Sequence, residues 1–453
     1  MEPSAAQLIG MLREARGRTL ELVADLSDEQ MIGPRLAVVN PPLWEIGHVA
    51  WTQEFWILRH FYKQKPFVEG GDALYNSTDV AHDTRWDLRL PTREKTLQYL
   101  ETVLSRVAES LASRQPSAEE LYFPLLVLFH EDMHGEAIAY TRQTLGYPPP
   151  KMSMAREPSQ NGKGGLLPGD VEIAGGPFML GAIQDSPFVF DNEKWAHPVE
   201  IRPFLIARAP VTNGEFAAFV DDGGYRRRAF WDEESRRWLE SGGSPVLEQS
   251  FSKFFGRRQA PAADAHAPRA EHPVYWRRDG GRWLRRVFNE WIPLGENLPV
   301  MHVNWYEAEA YCRWAKRRLP TEAEWEMAAA QESATGRKRL FPWGDEAPSA
   351  ERANLDGRAL GLIEVGALAG GDSAFGCRQM IGNVWEWTAT DFAPYPGFVA
   401  DPYKEYSQPW FGAHKVLRGG CWATRSRLIR NTWRNFYTAD RNDVWAGLRT
   451  CAL

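Results

Sequence analysis

The sequence predicts an α+β protein of two domains, in which a helical bundle precedes a loop-rich α+β domain. Three observations predict it: apolar residues recur at helical spacing up to residue 145, a Pro- and Gly-rich stretch follows, and beyond it short apolar strings alternate with Gly, Pro, Asn and Asp. We expect the bundle over residues 1–150, a linker over 151–169 and the α+β domain over 170–453. A chain of 453 residues is long enough for two or three domains of ordinary size.

Four long helices are expected in the N-terminal domain. They cover residues 5–25, Asn40 to about Lys63, Thr92 to about Leu111, and residues 118–145. Asn40 is a favourable N-cap residue, the two prolines after it suit a first helical turn, and Gly146 suits the end of the fourth helix. Helices of this length fit a four-helix bundle.

The C-terminal domain shows fewer regular elements. Two helices stand out, Thr212–Asp221 and Thr321–Ala330, and in the second Thr321 and Glu324 form a capping box. The chain has 20 tryptophans, many of them in its C-terminal half, which favours rigid aromatic packing and an aromatic-lined pocket.

Composition excludes several classes of partner. A net charge of −6 provides no basic surplus for nucleic acid. The longest strongly apolar run, Leu121–Phe129, is too short for a membrane span of about 20 residues, and the N-terminus lacks a signal-peptide pattern. Because the cysteines at 312, 377, 421 and 451 show no close pairing, we expect a cytoplasmic protein.

Three histidines form a candidate metal site. His130 and His134 are four residues apart on the fourth helix, so both rings project from one face. His48 lies on the second helix between Trp44 and Trp51, and inward faces of bundle helices meet. Three neutral imidazoles suit Fe, Zn, Cu or Ni and leave coordination positions open. The alternative is a non-catalytic binding module in which these histidines only pack.

The same stretch also matches a zinc hydrolase pattern. His130, Glu131 and His134 fit H-E-x-x-H, in which the glutamate is the general base. The metzincin continuation requires Gly and His where this chain has Ala137 and Tyr140. A zinc hydrolase therefore stays as an alternative from another reaction class.

A series of short strings in the C-terminal domain carries a family resemblance. The strings are Pro177–Gly181, Pro210–Asn213, Val303–Trp305, Leu319–Glu326, Phe341–Gly344, Gly382–Thr388, Leu417–Trp422 and Ala446–Arg449. In this order they resemble the formylglycine-generating-enzyme type of domain, which implies a C-type-lectin-like α+β fold. Those enzymes hold copper with a cysteine pair after the Arg-Gly-Gly string. The stretch Cys421–Arg427 has no such pair, so oxidation of a sulfatase cysteine is not expected.

The N-terminal domain carries a second resemblance. The stretch 40–48, Asn-Pro-Pro-Leu-Trp-Glu-Ile-Gly-His, together with His130 and His134, resembles the DinB-type bundle that precedes this domain in ergothioneine-forming sulfoxide synthases. In that family three histidines hold a non-haem Fe(II), and iron and O2 join a sulfur donor to C2 of the imidazole of hercynine (Nα-trimethylhistidine). The resemblance implies that His48, His130 and His134 hold Fe(II), with O2 as co-substrate.

The resemblance also implies residues that bind hercynine and the donor. Asn435, Phe436 and Tyr437 align with a family Asn-Trp-Asp string, of which the first two residues contact hercynine and the aspartate holds the amino-acid donor. Asn435 and Phe436 are thus assigned to hercynine, and Tyr437 replaces the acid on the donor side. Arg85 and Arg89 resemble family arginines that bind a substrate carboxylate.

A catalytic tyrosine is expected on the oxygen side of the site. The family places it in the loop after the Trp-Glu-Trp string, where Tyr395 is the candidate. Phe392 is the alternative occupant of that position, and it has no phenol.

The departure at Tyr437 bears on the donor. Without the aspartate, a donor with a free amino group loses its ion-pair partner, which favours a neutral donor. The overall pattern most resembles the selenoneine synthase branch, whose members use a selenosugar and form a C–Se bond. A C–S bond to a thiol donor is the alternative within the family.

A structural calcium ion is a further expectation. Asn354–Gly357, Asn-Leu-Asp-Gly, resembles a calcium-binding loop of formylglycine-type domains, and its oxygens suit Ca²⁺. The same four residues also form an ordinary turn sequence.

Overall fold

The structure is a computed structural model, and it describes residues 3–114, 116–117, 120–155, 164–184, 186, 188–242, 269–332 and 335–453. The chain forms two compact units, Met1–Ser153 and Met154–Leu453. The central part of the predicted linker, residues 156–163, lies outside the described residues.

The N-terminal unit is helical. Its helices are α1 (Ala5–Val23), α2 (Asp28–Ile32), α3 (Pro42–Gln53), α4 (Gly71–Tyr75), α5 (Arg93–Ser113) and α6 (Tyr122–Leu145), and α3 continues as a π-helix over Glu54–Phe61. Each of α1 and α3 packs against both α5 and α6, so the four long helices enclose one core. Ser4 and Gln7 form a capping box at the start of α1, and Gly146 in left-handed conformation ends α6.

The start of α3 differs from the expectation. Pro41, and not Asn40, is the N-cap of α3, and no side chain caps its first turn. The amide of Asn40 instead donates to the carboxylate of Glu45 at 2.6 Å. The other oxygen of the same carboxylate contacts His134.

The C-terminal unit combines short strands with four helices among its described residues. The strands are β1 (Asp170–Ile173), β2 (Gly176–Leu180), β3 (His197–Ile201), β4 (Phe204–Ala207), β5 (Trp276–Asp279), β6 (Arg282–Val287), β7 (Glu290–Pro293), β8 (Arg317–Arg318), β9 (Trp385–Asp391), β10 (Lys415–Arg418), β11 (Asn435–Tyr437), β12 (Ala446–Leu448) and β13 (Cys451–Ala452). The helices are α7 (Asn213–Asp221), α8 (Glu233–Glu240), α9 (Trp305–Ala315) and α10 (Glu322–Ala330).

The strands form small sheets. One has the order β1–β4–β13–β8 and another β11–β10–β9–β12, while β2–β3 is a hairpin and β5–β6–β7 an antiparallel meander. Neighbouring strands are antiparallel except β12, which runs parallel to β9. Helix α10 begins with the predicted Thr321–Glu324 capping box and packs on β2, β3, β9 and β10. Its fully buried Trp325 belongs to the apolar core.

None of the helices that the structure describes is both long and apolar enough to cross a bilayer.

Candidate metal centre

Three imidazole rings converge inside the helical unit. The Nε2 atom of His130 lies 3.2 Å from Nε2 of His48 and 3.1 Å from Nε2 of His134. His48 comes from α3 and the other two from successive turns of α6, so the helix contact between α3 and α6 closes the cluster. His48 and His130 are buried and His134 is partly exposed. The structure therefore brings together the three residues that the sequence predicted as ligands.

His48 is held from both sides. Its Nδ1 atom lies 2.7 Å from the carbonyl oxygen of Tyr75, which can only accept, so Nδ1 carries the proton. The indole of Trp44 stacks on the imidazole with centroids 4.9 Å apart and planes 8° apart. A Cβ atom at Gly47 would lie 2.3 Å from the ring of Tyr75, so only glycine permits this approach.

His134 is held by a carboxylate. Its Nδ1 atom lies 2.5 Å from Oε1 of Glu45, and Oε2 of Glu45 accepts from the Asn40 amide. Burial raises the pKa of the Glu45 carboxyl, but the charge and hydrogen bond of His134, with His48 and Asn40, outweigh it and hold the pKa below its usual value. Glu45 thus stays an acceptor and fixes the orientation of the His134 ring.

The donor set fits a divalent transition metal. With Nδ1 donating in His48 and in His134, the Nε2 atoms of both rings present lone pairs toward the same point. Burial and the neighbouring His134 lower the pKa of His48 to about 3, and burial also lowers the pKa of His130 well below its usual value. Neutral imidazoles with converging lone pairs, two of them held by oxygen acceptors at the other nitrogen, are typical of a metal site.

Sequence reasoning did not find Glu45 or Tyr75. Glu45 lies three residues before His48 on α3, a spacing that puts both on one helix face, and this signal was available. Tyr75 contributes a backbone carbonyl, for which side-chain patterns carry no signal.

The glutamate of the H-E-x-x-H pattern is occupied elsewhere. The Oε1 atom of Glu131 accepts from Nε of Arg16 at 2.8 Å and from the hydroxyl of Thr19 at 2.9 Å, and Oε2 accepts from Gln53 at 2.7 Å. Glu131 is 1% exposed and Arg16 is 2% exposed. Both oxygens of Glu131 are thus engaged by other residues, which argues against Glu131 as the general base of a zinc hydrolase.

The two predicted donor arginines differ in environment. Arg85 is buried: its Nη1 donates to Oδ1 of Asn40 at 2.5 Å, and its guanidinium lies 3.8 Å from the centroid of the Trp44 ring. Arg89 is exposed. Only Arg85 is thus tied to residues that contact the histidines.

The predicted hercynine residues lie on β11 of the C-terminal unit. Asn435 and Phe436 are both partly exposed, and β11 is an edge strand of its sheet. One face of Phe436 is covered by Phe392, whose ring lies 4.0 Å away at 13°. Tyr437 is partly exposed, with the guanidinium of Arg441 5.0 Å from its ring.

Tyr395 lies in a buried ionic cluster of the C-terminal unit. Its ring packs 4.1 Å from the guanidinium of Arg434 and 4.6 Å from His197, and its hydroxyl lies 3.5 Å from Oε2 of Glu322. Burial raises the pKa of Tyr395 well above its usual value. Burial thus keeps the hydroxyl protonated, and the contacts tie the ring into the core.

Two further loops contain the cysteine that follows the Arg-Gly-Gly string and the turn for which calcium was expected. Cys421 is buried, and its sulfur accepts from the hydroxyl of Thr424 at 3.4 Å. The Oδ1 atom of Asp356 accepts from Arg425 at 2.7 Å and from the Ser426 amide at 2.9 Å. A carboxylate neutralised by a guanidinium is a poor ligand for calcium, so these contacts weigh against a calcium ion in this turn.

Comparisons with known proteins agree with the division into two units. Residues 154–452 match the family model described as the sulfatase-modifying factor enzyme 1-like domain, and residues 11–138 match that of the DinB superfamily. The chain is 37% identical to a hercynine oxygenase of Mycolicibacterium thermoresistibile, over 99% of this chain and 95% of the relative. It is 37% identical to the hercynine oxygenase of Mycobacterium tuberculosis, over 98% of each chain.

Two further relatives match only part of this chain. The formylglycine-generating enzyme of Streptomyces coelicolor is 34% identical over 67% of this chain and 95% of its own length. Among solved structures, PvdO of Pseudomonas aeruginosa aligns with a TM-score of 0.41 at 22% identity, covering 62% of this chain and 93% of PvdO.

Proposed function

The chain belongs to the family of the hercynine oxygenases, and on that premise we propose that it is a non-haem Fe(II) enzyme that uses O2 to bond a selenosugar to C2 of the hercynine imidazole. The observation that carries the proposal is the convergence of the Nε2 atoms of His48, His130 and His134. Replacing a C2–H and an Se–H bond by one C2–Se bond releases two protons and two electrons. O2 takes them up and leaves as H2O2, or as H2O where its other oxygen atom is transferred to selenium. Bound Fe(II) supplies the O2 chemistry that this oxidation requires.

The chain's own residues prepare the site. His48, His130 and His134 hold the ion, while the Tyr75 carbonyl and the Glu45 carboxylate keep two of the rings in the required tautomer. Because these contacts exist in the folded bundle, the ligands need little reordering when the metal binds.

The C-terminal unit supplies the residues assigned to substrates. Phe436 is partly exposed, and its ring suits the trimethylammonium group of hercynine because that cation is attracted to an aromatic face and donates no hydrogen bond. The Asn435 amide is assigned to hydrogen bonding with the same substrate.

The surroundings of Tyr437 favour a donor without a free amino group. Its partners are basic: Lys415 is opposite Tyr437 in the sheet register, and Arg441 lies over the ring. The acids nearby are already paired, since Asp391 accepts from Lys415 and Asp443 binds Arg441 through both oxygens. Neither Asp391 nor Asp443 is therefore available to replace the family's aspartate as the partner of a donor's ammonium group, and a selenosugar has no ammonium group to pair.

Donor competition tests the proposal. Fe(II)-loaded protein is given hercynine, O2 and equal amounts of a selenosugar and γ-glutamylcysteine, and the products are identified by mass and selenium isotope pattern. A C–Se product is expected. A C–S product alone would overturn the selenium assignment and leave the hercynine chemistry standing, and no product from either donor would overturn both.

Metal analysis after anaerobic purification tests the centre itself. We expect stoichiometric iron in the wild type and its loss in His48→Ala. The matched control is His60→Ala, which removes an exposed histidine of the adjoining π-helix and leaves the iron in place. Full iron content in His48→Ala would contradict the three-histidine site.

A further inference from the structure

We propose that Arg85 is a positioning residue of the metal centre, not a ligand for a donor carboxylate. The inference rests on the metal site of the proposed function and is independent of which substrates that site serves. Two sets of contacts connect the Arg85 guanidinium to the histidine cluster, one through hydrogen bonds and one through stacked rings.

The hydrogen-bonded path leads to α6. Nη1 of Arg85 donates to Oδ1 of Asn40 at 2.5 Å, and Nδ2 of Asn40 donates to Oε2 of Glu45 at 2.6 Å. The other oxygen of Glu45 accepts from Nδ1 of His134 at 2.5 Å. Since Asn40 accepts from a cation and donates to an anion, its amide has one favourable orientation. Arg85 thereby fixes the carboxylate that orients His134.

The stacked path leads to α3. The guanidinium carbon of Arg85 lies 3.8 Å from the centroid of the Trp44 ring, and that ring stacks on His48 at 4.9 Å. Planar guanidinium can stack on an indole and donate in its own plane at the same time, which a lysine ammonium cannot do. One side chain therefore braces ligands from two different helices.

The burial of Arg85 favours a positioning role over substrate binding. Arg85 is 8% exposed, and its Nη2 also donates to the carbonyl of Val80 at 3.3 Å. Arg89, four residues later, is exposed and provides a matched comparison. A donor carboxylate that took Nη1 of Arg85 from Asn40 would disturb the carboxylate behind His134.

The test compares Arg85→Met with Arg89→Met in the full chain. Co(II) serves as the probe: its affinity is measured by competition with a chelator, and its visible absorption bands report the ligand geometry. We expect Arg85→Met to weaken Co(II) binding about 10- to 100-fold and to shift the bands, as outer-shell losses do. Arg89→Met should change neither quantity. Arg85→Lys, which keeps the charge and loses the planar fork, should fall between wild type and Arg85→Met.

Wild-type Co(II) affinity and wild-type absorption bands in Arg85→Met would overturn the proposal. If Arg85→Met does not fold, Asn40→Ala decides, because it breaks the hydrogen-bonded path while the guanidinium still stacks on Trp44. Unchanged Co(II) bands and affinity in that variant would also overturn it. The readout involves no hercynine, so a failure of the proposed reaction would leave this comparison intact.

Discussion

The Nε atom of Arg16 lies 2.8 Å from Oε1 of Glu131, so a carboxylate that the H-E-x-x-H pattern suggests for chemistry is engaged in an ion pair between α1 and α6. Both side chains are almost completely buried. The ion pair therefore stabilises the helical bundle. Its loss should lower stability and leave catalysis unchanged.

We expect Glu131→Gln to lower the free energy of unfolding by about 3 kcal/mol or more, because it leaves the buried Arg16 charge uncompensated. Denaturant unfolding measures this change, and metal analysis of the folded variant should still find a full complement. The control is Glu109→Gln on the exposed face of α5, which should change stability by less than about 0.5 kcal/mol. Unchanged stability in Glu131→Gln combined with metal loss would contradict this assignment.

Replacement of Gly47 by alanine should disturb the metal centre through Tyr75. The new Cβ would lie 2.3 Å from the Tyr75 ring, whose residue also provides the carbonyl for His48. We expect a loss of about 1–3 kcal/mol, as for overpacked cores, together with weaker metal binding. In Gly17→Ala, an exposed position of α1 with nothing within 4 Å of the added carbon, stability should instead rise by about 0.5–1 kcal/mol. Wild-type metal affinity in Gly47→Ala would argue against the role of Tyr75.

The stability of the C-terminal unit should depend on pH through Glu307. Burial raises the pKa of Glu307 to about 7 from a usual value of 4.5, and the hydroxyl of the fully buried Tyr225 donates to its carboxylate. Between pH 4.5 and about pH 7 the Glu307 carboxyl is deprotonated in the unfolded chain and still protonated in the folded chain. Stability therefore falls as pH rises from about 4.5 to about 7, by about 3 kcal/mol in total, and is level above that range.

Urea unfolding followed by tryptophan fluorescence between pH 5 and pH 8 tests this dependence. Glu307→Gln should remove the part of the pH dependence of the unfolding free energy that Glu307 causes. Glu172→Gln, at an exposed position, should retain it. Tyr225→Phe should extend the slope to higher pH, because the Tyr225 hydrogen bond lowers the Glu307 pKa. An unaltered slope in Glu307→Gln would assign the pH dependence to other groups.

Calcium removal should leave the fold unaffected. Asp356 is bound by Arg425 and by the Ser426 amide, with Arg358 3.5 Å from its second oxygen, so two guanidinium groups already neutralise this carboxylate. We expect the same thermal midpoint in excess EGTA and in millimolar CaCl2. A midpoint that rises with calcium concentration would show preferential binding to the folded state and restore the calcium prediction.

The regular features of the chain could be predicted from local pattern. Apolar periodicity placed the long helices, the four-residue spacing put His130 and His134 on one face, and the two family matches confirm the predicted fold class of a DinB-like bundle followed by an α+β domain. These features depend on residues close together in the chain, and for that reason they leave a signal in the sequence.

The supporting contacts of the site could not be predicted in the same way. Arg85, Asn40 and His134 lie far apart in the chain, and no spacing rule connects them. Asn40 illustrates the difficulty, because the amide that makes it a good N-cap residue is used for Glu45 instead. The π-helix after α3 also lacks a local signal: Glu54 is buried there and accepts from the hydroxyl of Tyr99 at 2.5 Å, a contact with another helix.

The placement of β12 and β13 has a consequence for biosynthesis. Residues 451–452 lie between β4 and β8, and residues 446–448 pair in parallel with β9, so each of two sheets contains a strand from the last part of the chain. While the ribosome is still adding those residues, β4 and β8 have no partner to join them, and the apolar faces of the unit stay accessible to chaperones. Helices α1, α3, α5 and α6 instead pack on one another, so these partners are all synthesised before the sheets can close.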